Sequence, residues 1–204
     1  MVGEPGETDG GLFGRGHHPI SDEVLDVLTE SQRLGFLGER SVIEAAEHSR
    51  GFVRGLSGVS GVVVDIGSGG GLPGLVLGHD RPDLQLLLVD RRAKRTDFLR
   101  RMVRRLGWTD RMTVQEADVQ HLITQRPGAF DGVVARGFGP PEETLSMAAE
   151  LVGPSGRIVI SEPPAGDRWE TTFLERLGLD RIDDRSDSVS VFERRGPSNV
   201  SRET

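Results

Sequence analysis

Between residues 61 and 161 short apolar runs alternate with longer amphipathic segments. The runs at 61–66, 84–90, 111–115, 130–135 and 156–161 are rich in Val, Leu and Ile and have the length of buried strands. Apolar residues at helical spacing predict helices over 73–79, 93–106 and 142–152. This alternation predicts an α/β fold: a mostly parallel, doubly wound sheet with right-handed crossovers and helices on both faces. Residues 168–177 suit one more helix. Residues 188–194 alternate apolar and polar positions and predict a strand with one wet face, as in an antiparallel pair closing the sheet edge.

Two helices are predicted ahead of the sheet. Ser21 is placed to cap the first, with Asp22 and Glu23 in its first turn and Val24, Leu25, Val27, Leu28 and Leu34 as its apolar stripe. Ser41 and Glu44 have capping-box spacing and open a second helix that ends near Gly55. Residues 1–20 are glycine-rich and lack periodicity, predicting a flexible tail, as do residues 195–204. The expected organisation is therefore a tail (1–20), a helical element (21–58), the main domain (59–194) and a second tail (195–204).

The 204 residues contain no cysteine, which removes disulfides, thiolate metal sites and cysteine nucleophiles. His17 and His18 have no partner residues at zinc-site spacing, and no metal is expected. No apolar run approaches membrane-spanning length, and the N-terminus lacks a signal-peptide pattern, so a cytoplasmic location is expected. Net charge is −7, yet residues 91–111 carry nine basic residues against Asp97 and Asp110. Such a patch on an acidic chain fits one anionic partner, or simply a solvated helix face.

The segment Val-Val-Val-Asp-Ile-Gly-Ser-Gly-Gly-Gly-Leu-Pro-Gly (62–74) is the strongest chemical signal. Ligands of open parallel sheets bind outside the carboxyl ends of the strands, where this loop falls. A phosphate-binding P-loop is excluded, because no lysine follows the glycines. Gly69, Gly71 and Gly74 match the dinucleotide spacing, but Pro73 interrupts the close helix–strand approach that spacing serves. Asp65, Gly67, Gly69 and Gly71 fit better the pattern of an acid followed by three alternating glycines. An acid there suits a ligand with a cationic amino-acid end and repels a pyrophosphate. Asp90, at the end of the second strand, is placed to accept from ribose hydroxyls, and Asp118, after the third, to take an adenine amino group. These residues point to S-adenosylmethionine.

Methyl transfer from a sulfonium needs an in-line nucleophile more than a base, so no catalytic acid–base residue is singled out. Without cysteine, pyrimidine C5 methylation through a covalent adduct is excluded. The Asp/Asn-Pro-Pro-aromatic motif of amino-group methylation is replaced by Ala135-Arg136-Gly137-Phe138-Gly139, and Pro163-Pro164 read as a turn. A ring nitrogen with a free lone pair, such as guanine N7, would need no deprotonation. Arg136 can hold a phosphate, orient a base or pair with a loop carboxylate. On helix 93–106, Phe98, Leu99, Met102, Val103 and Leu106 form a core face. Lys94, Arg95, Arg100, Arg101, Arg104 and Arg105 supply a basic surface able to follow a phosphate backbone.

Asp65-Ile-Gly-Ser-Gly-Gly-Gly-Leu-Pro-Gly74, Arg81-Pro-Asp-Leu, Asp90 with Ala93-Lys94-Arg95-Thr-x-Phe-Leu-Arg100, and Phe130-Asp131-Gly-Val-Val-Ala-Arg136 together resemble the bacterial small-subunit rRNA guanine-N7 methyltransferases. These are the RsmG, or glucose-inhibited division protein B, proteins. The resemblance runs over roughly residues 35–161. It implies a Rossmann-like class I methyltransferase fold, S-adenosylmethionine as cofactor, and methylation of one guanine N7 in 16S rRNA of the small ribosomal subunit. It places cofactor contacts at Gly67, Leu72, Asp118, Val119 and Arg136. The pattern departs at Ala45–Arg50, where His48 is displaced, at Gly137, and at Ser161-Glu162-Pro163, where the family often carries Lys-Gly. Two other readings stay open on the residues alone: a methyltransferase acting on a small molecule or protein, and a non-catalytic RNA- or ribosome-binding protein with a residual cofactor pocket.

Overall fold

The computed structural model describes residues 19–162, 169–182 and 189–196. His17, His18, Pro163 and Pro164 lie outside the described residues, as do nearly all of the two expected tails. The chain order is α1 (Asp22–Arg33), α2 (Val42–Gly55), β1 (Val62–Ile66), α3 (Gly74–Asp80), β2 (Gln85–Asp90), α4 (Ala93–Arg105), β3 (Met112–Glu116), α5 (Val119–Gln125), β4 (Phe130–Ala135), α6 (Pro141–Leu151), β5 (Val152–Ser161), α7 (Thr171–Leu177), β6 (Leu179–Ile182) and β7 (Val189–Arg194).

Val63, Val64, Ile66, Val133 and Val134 are all fully buried, because β1 and β4 lie mid-sheet and have helices over both faces. The strand order is β3-β2-β1-β4-β5-β7-β6. The first five strands are parallel, while β7 runs antiparallel to both β5 and β6. The sheet is thus the expected α/β arrangement with an antiparallel edge. Connections leave β1 in opposite directions, so the switch point falls between β1 and β4, at the carboxyl end of the glycine-bearing strand. One core cluster joins α1–α4 to one face of the sheet; the second joins α5–α7 to the other.

Two short elements escaped the sequence reading. Helix α5 has seven residues, capped by Asp118, whose carboxylate accepts from the Gln120 amide at 2.9 Å. Its apolar triplet Val119, Leu122 and Ile123 was a legible signal. Strand β6 has four residues and forms because β7 offers it an edge. Caps also differ from expectation. The Ser41 hydroxyl accepts from the Glu44 amide at 3.5 Å, but Glu44 is exposed and returns no bond. The Ser21 side chain makes no cap; instead its backbone amide donates to His79 Nε2 at 3.2 Å, anchoring α1 to α3. Leu34 is half-exposed at the end of α1, off the buried stripe of Val24, Val27 and Leu28.

The N-terminal helices are fastened to the sheet by charge as well as packing. Arg50, on α2 and nearly buried, reaches Asp80 at 2.8 Å and Glu47 at 2.9 Å. Asp80 also accepts from His79 Nδ1 at 2.6 Å. Despite burial, these two partners hold the Asp80 carboxyl below its usual range.

Candidate functional site

The glycine loop is built around buried hydrogen bonds at the ends of β1 and β2. Ser68 is the hinge: its hydroxyl donates to the Asp65 carbonyl at 2.8 Å and accepts from the Val89 amide at 3.0 Å. The Gly67 and Ser68 amides both donate to the Val89 carbonyl. Gly67, Gly69 and Gly71 have φ of 72°, 55° and 103°, a region that side-chain-bearing residues rarely adopt. At Gly67 space is also decisive, since a Cβ would stand 2.5 Å from the Phe138 ring.

The two acids flanking the loop lie in different places. Asp90, 5% exposed, walls a cleft of about 360 Å³, a volume in the range of small-ligand sites. Its Oδ2 accepts from the Gly69 amide at 3.0 Å and its Oδ1 from the Arg92 amide at 2.9 Å, while Arg95 stands 3.4 Å away. Asp65 is beneath the loop and does not line the cleft. It is 1% exposed; its Oδ2 accepts from the Gly74 amide at 3.1 Å, and its Oδ1 has no hydrogen-bond partner among the described residues. Burial pushes its pKa up to about 7; Ser68, the Gly74 amide and Arg136 oppose the rise, and nearby Asp90 adds to it.

Gly67, Val89, Ala117, Asp118 and Val119 complete the cleft, with Gly137 and Phe138 closing it from the β4 side. Arg91, Arg92 and Arg95 rim it. Three strand ends therefore converge on one hollow with a carboxylate on its wall. Gly69, Gly71, Leu72 and Arg136 do not line it. Leu72 is packed into the core, and the Gly71 amide donates to the Ser68 carbonyl, shaping the loop from below.

Arg136 is half-buried, and among the described residues it makes no hydrogen bond or salt bridge. It does not pair with a loop carboxylate. Burial pulls its pKa below the usual arginine range; Arg40 adds to this, and Asp65 works against it. Burial also lowers the pKa of His48, and both Arg136 and Arg40 push the same way, favouring the neutral imidazole. Arg40, in the loop ahead of α2, had no motif around it, and only the fold brings it close enough to act on Arg136.

The basic helix α4 divides by function of place. Arg95 turns to Asp90 and the cleft. Arg100 pairs with Asp97 at 2.9 Å, and Arg105 lies 3.5 Å from Glu30 and 3.9 Å from Asp26 on α1. Lys94, Arg101 and Arg104 are exposed and make no ion pair among the described residues. A second cleft of about 320 Å³, formed by the ends of β4 and β5, shares Gly137 and Phe138 with the first. The described residues contain no cluster of His, Asp or Glu able to hold a metal ion. No helix among them is long and apolar enough to cross a membrane.

Helix α1 braces the loop from outside. The Ser31 hydroxyl donates to the Gly70 carbonyl at 2.8 Å in a buried position, and Leu37 lies over the same glycine. Phe36 packs edge-on against Phe98 of α4 at 5.6 Å. Ser31→Ala leaves the Gly70 carbonyl buried without its donor. Denaturant unfolding is expected to register a loss of about 1–2 kcal/mol; an unchanged midpoint would mean that the brace carries no load.

Residues 27–163 match the family described as rRNA small subunit methyltransferase G. The ribosomal RNA small subunit methyltransferase G of Acidothermus cellulolyticus is 35% identical over 130 residues, covering 59% of this chain and 56% of that protein. The protein of the same name from Salinispora arenicola is 32% identical over 166 residues, covering 78% of this chain and 66% of that protein. The chain spans about half the length of the first curated relatives it matches. Among solved structures, an SAH-bound methyltransferase from Podospora anserina superposes with a TM-score of 0.61 at 13% identity, covering 88% of this chain and 90% of that one. At that identity the likeness shows a shared fold.

Proposed function

The chain belongs to the rRNA small subunit methyltransferase G family, and from that premise we propose that it is an S-adenosylmethionine-dependent methyltransferase acting on a guanine N7 of 16S rRNA. The observation that carries the reading is the cleft at the switch point: a glycine loop, the Asp90 carboxylate and the Asp118–Val119 turn surround one nucleoside-sized hollow.

The residues present fit the cofactor. Asp90 is held by two backbone amides and keeps lone pairs for ribose hydroxyls. Asp118 and Val119 stand where an adenine would lie. Gly67 lets a ligand approach the backbone, with Phe138 above it. Asp65 fixes the loop through Gly74, and its negative charge, when present, favours a cationic amino-acid end. Leu72, Gly69 and Gly71 shape the loop rather than touch the hollow. Bound there, S-adenosylmethionine supplies an already activated methyl group. The protein's part is then positioning and exclusion of water. Guanine N7 bears a free lone pair, so no residue has to remove a proton. Arg136, half-buried and unpaired at the end of β4, is placed to hold a phosphate of the target strand or to orient its base.

Lys94, Arg101 and Arg104 form the part of α4 free to meet an RNA backbone. The reading is tested with tritiated S-adenosylmethionine and small ribosomal subunits from cells lacking this chain: label enters 16S rRNA, and none enters large subunits. Absence of transfer to either would count against it. Arg101→Ala/Arg104→Ala is expected to weaken RNA binding and to lower the slope of log affinity against log salt by about 2. Cofactor affinity should stay unchanged. An unaltered salt slope would remove α4 from the interface.

A further inference from the structure

We propose that Arg40 and Arg136 together clamp one phosphate of the target RNA strand beside the cofactor cleft. This rests on the function proposed above and names Arg40, in the loop ahead of α2, as a binding residue. Side chains alternate along a strand, and Asp65 of β1 stands in register with Val134 of β4. Val63 and Val134 both belong to the core face covered by α1–α4. Arg136, two residues beyond Val134, therefore falls on that face, beside Asp65 at the strand ends. Helix α2 crosses the same face in the reverse direction. Gly55, at its end, packs on Val159 and Val191, and Leu56 lies against Gly132 in the first half of β4. The start of α2, with Arg40, is thus carried to the carboxyl ends of the strands. The loop there is fixed: Gln32 Nε2 donates to the Gly38 carbonyl at 2.6 Å and to the Arg40 carbonyl at 2.7 Å, and Leu37 lies over Gly70.

The two guanidinium groups are close enough to act on each other, yet neither makes a hydrogen bond or ion pair through its side chain among the described residues. Like charges held together are unfavourable until an anion joins them. The acid that acts on Arg136 is Asp65, which is buried beneath the glycine loop and forms no salt bridge with it. A phosphodiester brings two non-bridging oxygens, and each can accept from one guanidinium fork. His48, on α2, feels both arginines and is favoured neutral, so it can donate to the same anion without adding a third charge. Gly137, the residue after Arg136, lines the cofactor cleft, whereas Arg136 and Arg40 do not. A phosphate on the clamp thus stands outside that cleft and next to it, where the backbone of a nucleotide presented to the methyl group would run. Such a contact sets the position of the strand and carries no base preference.

Arg40 is exposed, and its side chain holds nothing in the fold. Arg40→Ala removes a like charge from beside Arg136, so its melting temperature should equal or exceed the parent's; a structural role would lower it. Equilibrium binding of the full chain to small ribosomal subunits from cells lacking it gives the direct readout. Arg40→Ala and Arg136→Ala should each weaken binding about tenfold. The double variant should lose less than about thirtyfold, short of the roughly hundredfold product of two independent contacts, because both variants lose the same phosphate. Arg40→Lys, which keeps the charge without the fork, should fall between parent and Arg40→Ala. Affinity for S-adenosylhomocysteine should be unchanged in Arg40→Ala. No subunit binding by the parent, unchanged binding in Arg40→Ala, or fully multiplicative losses overturns the proposal. So does a loss of S-adenosylhomocysteine affinity in Arg40→Ala, which would put the cofactor's carboxylate on the clamp. The transfer assay distinguishes the two claims. Coupled, Arg40-dependent binding without methyl transfer contradicts the proposed activity and leaves the clamp standing. Transfer by Arg40→Ala with an unchanged KM for subunits contradicts the clamp and leaves the activity standing.

Discussion

Replacing Asp90 with alanine is expected to lower affinity for S-adenosylhomocysteine by at least about a hundredfold. Hydrogen bonds to a charged group contribute about 1.5–3 kcal/mol each, and a ribose offers two donors to one carboxylate. The variant also frees the Gly69 and Arg92 amides that Asp90 now holds, so the loop loses its tie to β2. Asp90→Asn separates these effects. It keeps one carbonyl oxygen for a backbone amide, removes the charge and should bind with intermediate affinity. Isothermal titration of the three proteins, each checked for an intact melting transition, provides the comparison. An Asp90→Ala chain that binds within about threefold of the parent would show that the cleft is not the cofactor site.

The second large effect concerns Asp65 and appears in stability. Its pKa in the folded chain is raised from 3.8 to about 7, chiefly by burial. Between those values the folded state keeps the proton and the unfolded state has lost it, so unfolding releases a proton and rising pH favours it. This group alone therefore lowers stability progressively from about pH 4 to pH 7, by up to about 4 kcal/mol. Asp65→Asn retains an oxygen for the Gly74 amide and carries no charge. Its unfolding free energy should lack that slope and exceed the parent's at pH 8, while the two converge near pH 3. The comparison isolates Asp65, because Asp80 and Asp83, whose pKa values are lowered, contribute equally to both proteins. Arg136 and Asp90, the charged groups that act on Asp65, are also common to both. Parallel pH profiles would mean that Asp65 is ionised in the fold without penalty.

The middle of the sheet was legible because β1, β2 and β4 are buried on both faces and read as nearly continuous apolar runs, with no need for alternation. The glycine loop was legible because its conformation demands glycine. Depth was hidden from the sequence. Asp65 and Asp90 are both acids at strand ends, but the chain turns so that the Gly74 amide covers one and the cleft exposes the other. The brace was hidden as well, since Ser31 and Gly70 are 39 residues apart and no periodicity links them. Helix α4 looked like one basic surface, yet α1 takes up Arg105 and the cleft takes up Arg95. The second cleft is made by the ends of β4 and β5 together, so neither segment alone shows it along the chain.

Methylation of a guanine N7 is measured by mass spectrometry of 16S rRNA nucleosides after small subunits from cells lacking this chain react with the protein and S-adenosylmethionine. The expected product is 7-methylguanosine approaching one equivalent per subunit, with none formed by Asp90→Ala. A methyl group on any other atom, or no new methylated nucleoside, would contradict the proposed activity.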